Sequence, residues 1–179
     1  MSLVYRPKGG EWRVVKERNY SNESELQKML YDSPELIPVH GGRETGRVFI
    51  REAALPGSGS TDLLGVDTLG NIYLVECKLA TNREVRRRVI GQVLEYAAFL
   101  WEMSYDDFDG LFVAREQKSL EELISSEGGE GWDFESFRAR VTENLANGSF
   151  SLLIAVDEIN EELRQIITYL SNRLSGSRM

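Results

Sequence analysis

The chain has 179 residues, and 41% of them are hydrophobic, which is enough to build and bury one core of ordinary domain size. Its 21 basic and 29 acidic residues give a net charge of −8, which argues against a protein that coats nucleic acid through a basic exterior. No apolar run approaches the roughly 20 residues of a membrane-spanning helix, and the first residues lack the apolar stretch of a secretory signal. The lone cysteine, Cys77, excludes an intrachain disulfide, so we expect one cytoplasmic α/β domain over residues 1–179.

The first predicted helix covers residues 22–32. Asn22 and Glu25 have the spacing of a helix N-terminus, and apolar residues follow at helical spacing. Pro34 and Pro38 prevent the helix from continuing.

Three consecutive strands are predicted next. Residues 48–50, 62–67 and 72–78 are short apolar runs rich in β-branched side chains and bounded by glycine, proline or asparagine. Residues 69–71 form a turn signal between the last two runs. We therefore expect the second and third strands to form an antiparallel hairpin.

The second predicted helix is long. Thr81 and Glu84 have the spacing of a capping box, and apolar residues recur every three or four positions from Val85 to Leu100. The sequence therefore predicts a helix whose buried face runs the length of this segment.

The rest of the chain continues the alternation of strands and helices. We predict strands at 111–114 and 152–156 and helices at 119–126, 132–146 and 160–174. The resulting order is αβββαβ followed by αα-β-α. Such an order indicates an α/β fold with a mixed central sheet flanked by helices.

Charged side chains interrupt the otherwise apolar strands. Asp62 opens the second strand, and Glu76 and Lys78 lie two positions apart on the third, so they share one face while Cys77 faces the other way. If the hairpin forms, Asp62 can approach Glu76. Charged side chains in an apolar strand carry a desolvation cost unless they form ion pairs or coordinate a ligand. Their presence here therefore favours a functional site.

A pair of carboxylates suits a hard divalent cation. Oxygen ligands favour Mg²⁺ or Mn²⁺, and one histidine and one cysteine in the chain argue against zinc. A lysine beside the metal ligands can orient water or stabilise negative charge. The alternative for an acid-x-lysine on a strand is an ion pair at a sheet edge.

These residues resemble the PD-(D/E)XK nuclease superfamily. The matching segments are residues 57–64 around Asp62, the Glu76-Cys77-Lys78 strand, the helix around 91–96 and the first helix with its following 32–38 segment. The likeness is to the branch that includes restriction-endonuclease-like domains and the catalytic half of archaeal single-strand and branched-DNA endonucleases. Thr61 stands where that motif often has proline. The resemblance implies a restriction-endonuclease-like αβββαβ core and hydrolysis of DNA phosphodiester bonds, in repair or defence.

The resemblance also implies roles for single residues. Asp62 and Glu76 would bind Mg²⁺ or Mn²⁺, and Lys78 would position the attacking water. An acid on the first helix often completes the metal site in this branch. Glu23 and Glu25 are both candidates, and we favour Glu23 because the capping interaction with Asn22 already accounts for Glu25.

Two further groups of side chains are candidates for contacts with substrate. Gln92 and Tyr96 resemble the polar pair that lines the site in this family, although an ordinary exposed helix face explains them equally well. Arg83, Arg86 and Arg87 precede or begin the same helix, and arginine suits phosphate because its planar group can hold two oxygens. A solvated helix face is the alternative for them.

The sequence leaves some alternatives open. A catalytically silent nuclease-fold module that binds DNA within a larger complex is the second functional hypothesis. A homodimer built through the apolar stripe of the last helix is compatible with either function. The tryptophans Trp12, Trp101 and Trp132 have no spacing that suggests base stacking, so we expect core or interface packing for them.

Overall fold

The computed structural model describes residues 4–16, 18–38, 45–55, 57–79 and 85–174, with the backbone alone described at 85–88 and 173–174. These residues form a mixed α/β fold. The elements in chain order are β1 (Val4–Tyr5), β2 (Arg13–Val14), α1 (Glu23–Asp32), a 3-10 helix (Pro34–Leu36), β3 (Arg47–Leu55), β4 (Gly59–Asp67), β5 (Ile72–Lys78), α2 (Val85–Leu100), α3 (Tyr105–Glu116), α4 (Leu120–Ile124), α5 (Phe134–Asn147), β6 (Phe150–Val156) and α6 (Glu161–Leu174).

The central sheet has four strands in the order β3-β4-β5-β6. β3, β4 and β5 are antiparallel neighbours, and β6 lies parallel to β5. The predicted hairpin between β4 and β5 is confirmed. The Asp67 carboxylate accepts hydrogen bonds from the Leu69 and Asn71 amides, both at 3.0 Å, and Gly70 adopts a positive φ of 81° that favours glycine at this turn.

Helices cover both faces of the sheet. One face carries the larger core cluster, which includes Leu64, Leu74 and Tyr96 together with apolar residues of α2 to α5. The opposite face packs against α1 through a cluster that includes Leu63 and Cys77. Burial raises the pKa of the Cys77 thiol to about 12, as expected for a cysteine that serves as a core side chain.

The predicted strand at 111–114 is wrong, because these residues belong to α3. The Ser104 side chain caps that helix by accepting from the Asp107 amide at 3.1 Å, and Phe108 and Phe112 are fully buried four positions apart. An apolar run of four residues does not distinguish a strand from a helix, and the cap upstream of the run settles the choice. The predicted αβββαβ order is therefore changed: four helices, α2 to α5, follow β5 before the next strand, β6.

Some of the predicted features lie on residues that the structure does not describe. The capping box of Thr81 and Glu84 lies outside them, as does Arg83. The two short strands β1 and β2 were not predicted at all. Among the described helices, none is long and apolar enough to cross a membrane.

Candidate active site

The candidate site lies where the β4 and β5 strands separate. Their ladder ends at the pair Leu63 and Val75, after which β4 continues beside β3 and β5 continues beside β6. The next residues on the two strands are Asp62 and Glu76. The fork therefore places both acids at one point in the sheet.

The strand separation leaves backbone groups that need partners. The Cys77 amide donates to the Asp62 Oδ2 at 2.7 Å, so the carboxylate satisfies a donor that faces no neighbouring strand there. The buried Thr61 hydroxyl lies 3.5 Å from the carbonyl oxygens of Leu63 and Val75. A proline at position 61, which the motif often has, offers no such hydroxyl.

Glu76 and Lys78 project from the same face of β5, as strand alternation predicts. The Lys78 Nζ lies 3.1 Å from the Glu76 Oε1. Glu76 is 3% exposed, and its Oε2 is buried without a hydrogen-bond partner. An acceptor in this state favours a ligand that supplies positive charge or a proton.

The first helix brings a third carboxylate to the same lysine. The Glu23 Oε2 lies 3.2 Å from the Lys78 Nζ, and its Oε1 accepts from the Leu79 amide at 3.4 Å. Glu25 turns away from the site, where it accepts from the Ser21 amide at 2.8 Å and pairs with Arg18. Of the two acids weighed from the sequence, Glu23 is the one that the fold brings to Lys78.

A fourth acid, Glu52, was missed from the sequence. It lies on β3 opposite Asp62, between two residue pairs that join β3 and β4. Its carboxylate raises the pKa of Asp62, but by less than burial does. Its backbone has a φ of 49°, which is strained for a residue with a side chain. Only the register of the two strands could have revealed this position.

The electrostatics of the site are dominated by burial. Burial raises the pKa of the Asp62 carboxyl against the lowering effects of the Cys77 amide and Lys78. Burial also raises the pKa of Glu76, the Asp62 carboxylate raises it further, and Lys78 lowers it. The pKa of Lys78 is raised although burial lowers it, because Glu76 and its neighbours favour the ammonium form. Lys78 therefore stays charged.

The donor set fits a hard divalent cation in its chemistry. Glu23 and Glu76 bring their carboxylates to the Lys78 ammonium group, and Asp62 and Glu52 lie beside them. The unpartnered Oε2 of Glu76 is an oxygen donor available to such an ion. Within the described part of the chain, no group of three or more acidic, histidine or cysteine side chains is arranged to hold a metal ion.

Tyr96, one member of the predicted polar pair on α2, lies close enough to the site to feel the charges of its acids. Tyr96 is buried, and its pKa is raised first by burial and then by the Glu76 carboxylate, with Asp62 adding to the effect. Gln92 opposes this rise in the pKa of Tyr96. The backbones of Arg86 and Arg87 lie at the start of α2, but their side chains are outside the described part of the structure.

Gln27 is a second residue that the sequence reasoning missed. It is buried, and its Nε2 donates to the Asp62 carbonyl at 2.7 Å while its Oε1 accepts from the Arg51 Nη2 at 2.8 Å. The signal was a glutamine on the apolar face of α1, four positions after Glu23. Gln27 ties the first helix to the backbone of the site.

Comparison with known proteins gives partial support for a nuclease. The chain is 32% identical over 109 residues to Endonuclease NucS of Thermococcus kodakarensis, a match that covers 60% of this chain and 39% of that protein. No family model matches the sequence, and no solved structure matches it. The chain therefore spans well under half the length of this curated relative, and the similarity is to an endonuclease.

Proposed function

We propose that the chain is a deoxyribonuclease that hydrolyses DNA phosphodiester bonds with the aid of Mg²⁺ or Mn²⁺. The reacting centre is the fork between β4 and β5. Asp62 and Glu76 would hold the cation there, with Glu23 as the candidate third ligand. The partial similarity to an endonuclease supports the reaction class.

One observation carries the proposal: two neighbouring strands bring the half-buried Asp62 and the buried Glu76 to one point, where Glu76 keeps an acceptor without a partner. Burying charge in this way costs stability unless a ligand compensates it. The carboxylates of Asp62, Glu76 and Glu23 favour a cation as that ligand. A structural ion pair at a sheet edge would not need Asp62.

The residues around the carboxylates have different roles in the proposed reaction. A bound divalent cation supplies Lewis acidity and lowers the pKa of water. Lys78 keeps its ammonium form between Glu76 and Glu23, where it stabilises negative charge developing on the phosphate and orients a water. Gln92 and Tyr96 border the site with groups that bind water or substrate.

The proposal includes a route for the DNA backbone. Arg83, Arg86 and Arg87 precede or begin the helix that follows β5, so their charges lie close in sequence to Lys78. Arginine binds phosphate oxygens in pairs. These residues are proposed to hold the backbone of the strand that is cleaved.

The test is cleavage of plasmid and branched DNA with Mg²⁺ or Mn²⁺. We expect cleavage by the parent and losses of about 100-fold or more in Glu76→Gln and Lys78→Met, the scale set by removing one group that stabilises the transition state. Glu95→Gln, on the exposed side of α2, is the matched control for a lost carboxylate, and Lys28→Met is the control for a lost ammonium.

Two results would overturn this assignment. Equal activity in the parent, Glu76→Gln and Lys78→Met would remove these residues from the reaction. Tight DNA binding without cleavage under any cation would instead favour the silent DNA-binding module.

A further inference from the structure

The β1 and β2 strands form a hairpin that lies outside both cores. Every residue of Val4–Lys16, which we call the hairpin arm, is exposed. Val4 pairs with Val14, and the Gly10 amide donates to the Pro7 carbonyl at 2.9 Å across the turn. A two-stranded hairpin without a packed face is marginally stable in water, so a binding partner would stabilise this one.

The hairpin arm exposes large apolar side chains. Trp12 is 68% exposed, and Tyr5, Val4 and Val14 are also exposed. The Arg6 guanidinium lies 5.5 Å from the centre of the Trp12 ring, within range of a cation–π contact. Of the core and interface packing expected for Trp12, its exposure excludes the core, and a cluster of exposed apolar residues is typical of an interaction surface.

Positive charge is concentrated in the same segment. The hairpin arm contains the basic residues Arg6, Lys8, Arg13 and Lys16 and the single acid Glu11, in a chain whose net charge is −8. Its surface is therefore complementary to a polyanion, unlike the chain as a whole.

We propose that the hairpin arm binds a segment of single-stranded nucleic acid, with bases stacked on Trp12 and phosphates contacting Arg13 and its basic neighbours. Exposed aromatic rings among basic side chains are the combination that binds unpaired strands, because every base offers a face for stacking. A duplex offers phosphates but few free base faces, and an acidic protein segment offers charge without bases. The proposal rests on the proposed nuclease function, which supplies the reason for DNA to be present.

The connection to α1 keeps the hairpin arm near the active site. Val14 is nine positions before Glu23, so the chain between them spans no more than about 30 Å even when fully extended. That distance corresponds to about nine nucleotides at the rise of B-form DNA. A single strand of nucleic acid held on the hairpin arm can therefore extend to the fork between β4 and β5, where Glu23 contacts Lys78.

Binding is tested without cleavage, by fluorescence anisotropy of a labelled single-stranded oligodeoxynucleotide in EDTA. All variants are made in the full chain carrying Glu76→Gln. We expect Trp12→Ala to weaken binding about five- to 150-fold, the range for losing the stacking of one base. Trp101→Ala removes another exposed tryptophan, outside the hairpin arm, and is expected to bind as its background does.

The electrostatic contribution to binding is measured separately, from the salt dependence of the binding constant. The double variant Arg6→Ala with Arg13→Ala removes two phosphate contacts. We expect it to make the slope of log binding constant against log salt concentration shallower by about 1.4. Arg140→Ala with Arg164→Ala removes two exposed arginines from other surfaces and is expected to leave the slope unchanged. Because the hairpin arm lies outside the cores, circular dichroism should show that the variants within the arm unfold at the same temperature as their Glu76→Gln background.

Three results would overturn the proposal. These are unchanged binding in Trp12→Ala, an equal loss in Trp101→Ala, or displacement of the oligonucleotide by polyglutamate as effectively as by unlabelled DNA. Failure of the proposed nuclease reaction is distinguishable, because it would abolish cleavage in the parent while leaving this metal-free binding and its dependence on Trp12 intact.

Discussion

Replacing Lys78 by methionine probes the electrostatics of the fork most sharply. The Nζ lies 3.1 Å from the Glu76 Oε1, a separation at which two unit charges attract by about 5 kcal/mol at an effective dielectric constant of about 20. The lysine side chain is 18% exposed, so little of this attraction is screened. The second contact, to the more exposed Glu23, adds about 1 kcal/mol or less.

The net loss is smaller than the gross attraction, because removing the lysine also removes its desolvation cost. We expect Lys78→Met to lower the free energy of unfolding by about 3 kcal/mol at neutral pH, the lower part of the range for breaking a buried pair. The loss should shrink as the pH falls. Without the ammonium the pKa of Glu76 in the folded state rises further, so protonation neutralises the unpaired carboxylate on acidification.

The assay is urea unfolding in EDTA, followed by circular dichroism across the acidic to neutral range. Lys28→Met is the matched control, because its exposed pair with Asp32 should contribute less than about 0.5 kcal/mol. The double variant Lys78→Met with Glu76→Gln should recover part of the loss. A cost no larger than that of the control, or one that is independent of pH, would refute this account of the site.

Four other substitutions test different parts of the structure. In EDTA, Asp62→Asn should raise the free energy of unfolding at neutral pH, because the raised pKa shows that the folded state disfavours the carboxylate. Urea titrations should show this gain disappear below the unfolded-chain pKa of about 4. Gln27→Met should cost about 2 kcal/mol in unfolding experiments and lower kcat, since it leaves buried polar groups without partners; an unchanged kcat would contradict its positioning role. Phe112→Ala should cost about 3–5 kcal/mol and Val113→Ala under about 1 kcal/mol, whereas similar costs would argue against the helical assignment of α3.

Much of the fold could be predicted because local signals agreed with one another. The turn at 69–71 and strand alternation were enough to predict the hairpin and the shared face of Glu76 and Lys78. The apolar run at 111–114 failed as a guide, since its length suits both a strand and a turn of helix. Tertiary packing around Phe112 decides that segment.

The candidate site was less completely predictable. Glu52 and Gln27 reach Asp62 through strand register and helix packing, and neither is visible as a spacing in the sequence. Glu23 could be favoured over Glu25 because the expected capping interaction with Asn22 accounted for Glu25, although the Glu25 carboxylate accepts from the Ser21 amide instead. The hairpin arm was overlooked because its strands are two residues long and lack the alternation that marks longer strands.

The central claim is that Asp62 and Glu76 share one divalent cation at the strand fork. Calorimetric titration of Mn²⁺ into the parent, Asp62→Asn, Glu76→Gln and the control Glu95→Gln tests it directly. We predict binding of a single ion by the parent and by Glu95→Gln, and affinity at least about tenfold weaker in both site variants, or about 1.4 kcal/mol. Mn²⁺ bound by Asp62→Asn and Glu76→Gln as tightly as by the parent would contradict the claim.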